Sequence, residues 1–452
     1  MSVRTTALAL LLTSACSPPD PSPPDAMPDA PDVQRTLVLN YKAIANPDLD
    51  LLFVIDDSPS MTDKQMSLKA AFPMLVAQLS SVTGGVPNLH LGVVSSDMGT
   101  KGSAVATFGA PIGQLGNGGC SMSGKNGALQ VGAATLMNGD TFVKLDRSGT
   151  RNFTGTLEDT FSAMASLGAG GCGFEQDLHA MRRSLEVGVN PGFLREGANL
   201  AVVVLTDEDD CSLLDPAVLA NNDALYGPLQ SFRCFRFGVE CSPDTVNDVG
   251  VKTGCKPRAT STLIEDTAPF KQALLAAKGG DARKISFGVF AGTSALPIEV
   301  ELRSSPSGGT PINALKHSCE YAVAGPTGMA VADPPIRLQA LAAAIGANGT
   351  VTSVCANDLT PAAIEIGQGI KHLIGDACLT RAVAPETCLV VETRDSAPNA
   401  PTTIQPCGGG VGGLCYDIVD DVTCATGPHK RLAITRSDAP AADAWIAMSC
   451  AQ

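Results

Sequence analysis

The stretch Asp48-Leu49-Asp50-Leu51-Leu52-Phe53-Val54-Ile55-Asp56-Asp57-Ser58-Pro59-Ser60-Met61 decides the fold. Its consecutive apolar residues, Leu51 to Ile55, are bounded by polar ones, the pattern of a strand covered on both faces. Residues Thr62 to Ser80 then carry the spacing of an amphipathic helix. In an open α/β sheet such a strand-to-helix turn lies at the carboxyl edge, where ligands collect. Asp56, Ser58 and Ser60 thus bring one carboxylate and two hydroxyls to that edge, a set suited to a hard divalent cation with oxygen ligands. Taken alone, the same residues also fit an ordinary turn in which Ser58 caps a helix and Pro59 occupies its first position.

A second apolar run, Asn199 to Leu205, ends in Thr206-Asp207-Glu208-Asp209-Asp210. Two buried strands then deliver acidic loops to one edge. With both loops in view, residues 48 to 376 resemble the von Willebrand factor type A domain. That family combines Asp-x-Ser-x-Ser after its first strand with Thr-Asp after a later one, matched here by Asp56, Ser58 and Ser60 and by Asp207. The resemblance implies an α/β fold with a doubly wound, mostly parallel sheet over residues 35–377. It also implies a metal-ion-dependent adhesion site for Mg²⁺ (or Mn²⁺ or Ca²⁺), completed by an acidic side chain of a protein partner.

The chain departs from the family at its glycine-rich loop, Gly168-Ala169-Gly170-Gly171-Cys172-Gly173-Phe174-Glu175, which lacks the usual Thr ligand. Glu175 either replaces it as a carboxylate ligand or simply favours the start of the following helix, Gln176 to Val187. Glu208 also stands where the family usually has Gly.

Residues 1–16 read as an export signal: Arg4, an uncharged run from Thr5 to Ala15 too short to span a bilayer, then Cys16. Leu12-Thr13-Ser14-Ala15-Cys16 resembles a bacterial lipobox, which implies a lipidated Cys16; Thr13 in place of the usual Leu keeps open plain cleavage and secretion. Residues 17–34 are a proline-rich tether with almost nothing to bury. Of fifteen cysteines, fourteen remain beside Cys16, an even number without any Cys-x-x-Cys pair, so disulfides in an oxidising space are expected. Two insertions are expected, at about 100–152, with short strands near Ala128 to Val131 and Thr141 to Leu145, and at 208–263, which carries four cysteines and starts at the metal edge. Residues 378–452 hold six cysteines and short β-type pieces, the composition of a small disulfide-bonded β-rich module.

A net charge of −14 with four Tyr and one Trp argues against nucleic acid, which wants a basic face. The five histidines share no ligand spacing, no Gly-x-Ser-x-Gly elbow occurs, and Ser58 stands where an aspartyl-phosphate enzyme carries a second Asp. The sequence therefore predicts a non-enzymatic, metal-dependent binding or adhesion protein on the bacterial envelope. Its rivals are a metal-assisted envelope hydrolase, whose base is not identifiable, and a structural surface lipoprotein with an idle site.

Overall fold

A computed structural model describes residues 37–451, except 83–84, 105–107, 293–296, 306–308, 324–327, 380, 409–412, 423 and 425–426. The expected export signal, lipidated Cys16 and tether lie outside the described residues. The chain is mixed α/β with several sheets.

The sheet that carries the site has the strand order Gly349–Ser353, Ile285–Ala291, Asn199–Leu205, Asp48–Ile55, Asn88–Ser95, Val143–Leu145. All neighbours are parallel except the last pair. Asp48–Ile55 sits in the middle, and its side chains alternate between two cores: Leu51, Phe53 and Ile55 face one, Leu52 and Val54 the other. That alternation is the period of a strand buried on both sides.

The first core is closed by the helices Thr62–Ser80, Leu157–Met164 and Thr360–Leu373, which contribute Leu68, Phe72, Leu75, Phe161, Ile366 and Ile370. Phe161 stacks on Phe72 with ring centroids 3.7 Å apart. The second core is closed by Asp177–Leu185, Ala268–Ala277 and Ile336–Ile345 through Leu178, Met181, Phe270, Leu274, Leu338 and Leu341. Each fully buried side chain of this kind is worth about 1.5–3 kcal/mol, so both faces hold the central strand in place.

The other sheets are antiparallel or mixed. Ile298–Arg303 pairs with Ile312–Leu315 and with Gly250–Lys252, tying the second insertion to a strand pair further along the chain. No strand forms at residues 128–131, and the strand expected from Thr141 is shortened to Val143–Leu145. A six-stranded sheet contains Cys388–Arg394, Ala397–Pro406, Leu414–Asp420, Lys430–Arg436 and Ala444–Cys450 around Val390, Ile404, Tyr416, Leu432 and Met448. One edge strand is Leu37–Lys42, antiparallel to Ala444–Cys450.

All fourteen cysteines of the folded part pair: Cys120–Cys172, Cys211–Cys234, Cys241–Cys255, Cys319–Cys355, Cys378–Cys424, Cys388–Cys450 and Cys407–Cys415. Seven disulfides point to an oxidising space outside the cytoplasm. Among the described residues no helix is long and apolar enough to cross a membrane.

Candidate metal centre

Register aligns the strand ends. Ile55 stands opposite Leu205 and Ser95, and Leu205 opposite Phe290. The ladder runs one residue further, since Asp56 N–H donates to Leu205 C=O (2.9 Å) and Thr206 N–H to Phe290 C=O (3.1 Å). Asp56 and Thr206 therefore emerge side by side. Asp56 Oδ1 accepts from Ser58 N–H at 2.7 Å, which curls the loop back over the strand. The amide of Gln65 fastens this turn, donating to Asp56 C=O and to Gly168 C=O, both at 2.9 Å.

The four residues predicted from the two motifs come together in hydrogen-bond reach. Ser58 Oγ lies 3.1 Å from Ser60 Oγ, and Ser60 Oγ donates to Asp207 Oδ1 at 3.0 Å across 147 residues of sequence. Thr206 Oγ1 donates to Asp56 Oδ2 at 3.1 Å. Asp56, Ser58 and Asp207 are buried, and Ser60 and Pro59 are exposed, so the cluster has one face toward solvent.

Glu175 is 1% exposed, and its Oε2 has no hydrogen-bond partner. It precedes the helix Asp177–Leu185 and its cap residue Gln176, so it lies outside the first helical turn. Asp177 is likewise buried, with both carboxylate oxygens unpartnered.

Electrostatics mark the same place. Burial pushes Asp56 up from 3.8 to about 8, with Asp207 and Asp57 adding repulsion. Burial, then Glu208 and Asp56, raise Glu175 well above the ordinary carboxylate range. Glu208 is raised by burial, Asp333 and Asp207, and Asp177 by burial, Asp56, Asp210 and Asp209. Burial also raises Asp207, against the pull of Lys64, whose Nζ is 2.9 Å from Asp207 Oδ2. These carboxylates crowd one edge with few cations to balance them. Lys125 pairs with Asp57, and Arg337 holds Asp210 (2.9 Å) while its backbone N–H donates to Asp209 Oδ2.

The glycine loop has a steric reason. A Cβ on Gly171 would fall 2.2 Å from Asp57 Oδ1, and Gly171 N–H donates to Asp57 C=O at 2.7 Å. Only glycine lets this loop lie against the motif. Cys120–Cys172 fixes the first insertion to the same loop, and Cys211–Cys234 starts the second insertion just past Asp207.

Sequence reasoning missed Asp57, Lys64, Asp177 and Thr206 as members of the cluster. It noted the acidic run after Leu205 but took only Asp207 from it as a ligand. Asp177 carried no signal apart from its place at a helix start. Among the described residues no group of three or more His, Cys, Asp or Glu side chains stands ready to hold a metal ion. The set around Ser60 instead joins two carboxylates with hydroxyls.

A narrow cleft of about 60 Å³ opens beside Glu208, lined by Asp209, Ser231, Phe235, Arg303 and Asp333. The larger cavities, about 740 and 750 Å³, lie near Asn88–His90 and near Ala276–Gly280, where the parallel strands begin. Size and chemistry thus part company, and the chemistry follows the strand ends.

No family model and no curated protein sequence matches the chain. Similar solved structures include human COPII-coat protein Sec24c, at 8% identity and a TM-score of 0.33 over 92% of this chain and 46% of that one. The PilB minor pilin of Streptococcus sanguinis follows at 13% identity and a TM-score of 0.28, over 72% of this chain and 61% of that one. A von Willebrand factor type A protein from Catenulispora acidiphila is similar at 11% identity and a TM-score of 0.29, over 92% of this chain and 65% of that one, so the chain spans less than two thirds of each.

Proposed function

We propose that this protein is a non-enzymatic adhesion module of the von Willebrand factor type A kind, with a doubly wound central sheet and a metal-dependent site at its carboxyl edge. Asp56, Ser58, Ser60 and Asp207 would hold Mg²⁺ (or Mn²⁺ or Ca²⁺), and Glu175 would take the place of the family's Thr. The observation that carries this is the closure of Ser60 on Asp207. Neighbouring oxygens around an octahedral Mg²⁺ with bonds of about 2.0–2.1 Å lie about 3 Å apart. Ser58 Oγ to Ser60 Oγ is 3.1 Å and Ser60 Oγ to Asp207 Oδ1 is 3.0 Å, so the donor set fits such an ion. The unpartnered Oε2 of Glu175 and the mutual repulsion of the carboxylates support it further.

The protein's share of the work is to orient these oxygens, to keep backbone and disulfides rigid behind them and to leave the Ser60 face open. A bound divalent ion would supply Lewis acidity at that open face, where a Glu or Asp of a protein partner is the fitting ligand. The two cysteine-pinned insertions flank the opening and would form the contact surface. We further propose that Cys16 is lipidated and anchors the protein to the bacterial envelope.

Calorimetric titration of the chelator-treated protein with MgCl₂ and MnCl₂ tests the site. Binding at millimolar ion or below, lost in Asp207→Asn, is the expected result; no heat in the wild type sinks the proposal. Capture of an acidic partner should then require the ion and stop with chelator.

A further inference from the structure

Lys64 lies one helical turn beyond Ser60, near the start of the helix Thr62–Ser80. Side chains on a helix lean toward its N-terminus, which aims Lys64 back at the motif loop. The residue is 1% exposed. Its Nζ donates to Ser60 C=O at 3.0 Å and pairs with Asp207 Oδ2 at 2.9 Å, with Asp63 Oδ1 at 3.6 Å. One ammonium therefore grips two of the four motif residues. It does so through atoms other than those that face each other, because Ser60 Oγ and Asp207 Oδ1 meet at 3.0 Å.

We propose that Lys64 is a built-in counter-cation of the candidate metal centre: it keeps Ser60 and Asp207 assembled without a divalent ion and lowers the affinity for one. The proposal rests on the metal reading of that centre. Two physical effects support it. A buried carboxylate without a cation is costly, and among the described residues Lys64 is the basic side chain that reaches Asp207. The same charge lies next to a shared ligand, so it repels an incoming divalent ion in a medium less screening than water. Repulsion of a double charge over a few ångströms outweighs what a single lysine adds by orienting one carboxylate. The site therefore stays preformed when empty and fills only where divalent ions are plentiful, as outside a cell.

The test compares full-length wild type with Lys64→Gln and Lys64→Arg, disulfides intact. Gln keeps N–H donors toward Ser60 C=O and Asp207 but removes the charge; Arg keeps the charge. Calorimetry with MgCl₂ should show at least tenfold tighter binding by Lys64→Gln and wild-type affinity for Lys64→Arg. In chelator, Lys64→Gln should melt lower than wild type, and Mg²⁺ should restore its Tm. Equal or weaker Mg²⁺ binding by Lys64→Gln, with the wild type still binding, overturns the role of Lys64 and leaves the metal reading standing. Binding by neither protein overturns both, and the Tm loss of Lys64→Gln would then not recover in Mg²⁺. If Lys64→Gln does not accumulate folded, its refolding yield in Mg²⁺ against chelator decides: a gain with Mg²⁺ supports the proposal, and equal failure in both refutes it.

Discussion

Replacing Asp56 by Asn should stabilise the metal-free protein at pH 8 while removing its response to divalent ions. The carboxyl of Asp56 is raised from 3.8 to about 8 by burial and by Asp207 and Asp57. Between these two values the unfolded chain has released the proton and the folded one has kept it, so stability falls as pH rises through this window. Three pH units at about 1.36 kcal/mol each would cost about 4 kcal/mol at pH 7. The neighbouring carboxylates share that strain, and a single replacement should recover about 1–3 kcal/mol. Asn is nearly isosteric and keeps an oxygen for Ser58 N–H, now 2.7 Å from Asp56 Oδ1, so no cavity offsets the gain. Thr206 Oγ1, which donates to Asp56 Oδ2, can turn to the Glu208 carbonyl at 3.2 Å. Urea unfolding without reductant at pH 4.5 and pH 8, in chelator, should show the variant ahead at pH 8 and the gap shrinking at pH 4.5. With Mg²⁺ at a hundred times its Kd the wild type should gain about 2.7 kcal/mol and Asp56→Asn nothing. A variant less stable than wild type in chelator at pH 8, or equally stabilised by Mg²⁺, would refute the reasoning.

Two further outcomes are expected. Burial raises Glu265, but hydrogen bonds from His179, Arg182 and Ser103 outweigh it and bring the carboxyl down to about 2. Its contribution, about 3 kcal/mol by linkage, is present above pH 4.5 and lost as pH falls toward 2. Glu265→Gln should thus lower the melting temperature at pH 7 and flatten the acid limb of the stability profile, read by calorimetry. For the anchor, Cys16→Ser should move the protein from the membrane fraction to the soluble one, and intact-mass measurement of an unlipidated wild type would reject lipidation.

Much of the frame was legible in the sequence because its signals are local. Five apolar residues before Asp56 and seven residues from Asn199 to Leu205 read as strands buried on both faces, and they are. The helix Thr62–Ser80 forms where its apolar spacing placed it. Asp-x-Ser-x-Ser is likewise a local pattern, and the even cysteine count required no knowledge of who pairs with whom.

What only the tertiary structure decided depends on register between distant segments. Strand Leu37–Lys42 precedes the central sheet in sequence yet pairs with Ala444–Cys450, because hydrogen-bonding edges choose partners by geometry and not by order. Gly250–Lys252 joins Ile298–Arg303 for the same reason. Of the pairings open to the cysteines, the fold selects those whose strands and loops bring Cα atoms within reach, such as Cys120 and Cys172 at 4.4 Å. Lys64 looks like any lysine on an amphipathic helix until the strand Asn199–Leu205 delivers Asp207 to its ammonium. Asp177 looks like an ordinary acidic helix start until Asp56, Asp209 and Asp210 arrive around it. Local periodicity is written along the chain, whereas the charge around a buried group is a sum over neighbours that meet only once the sheet has formed.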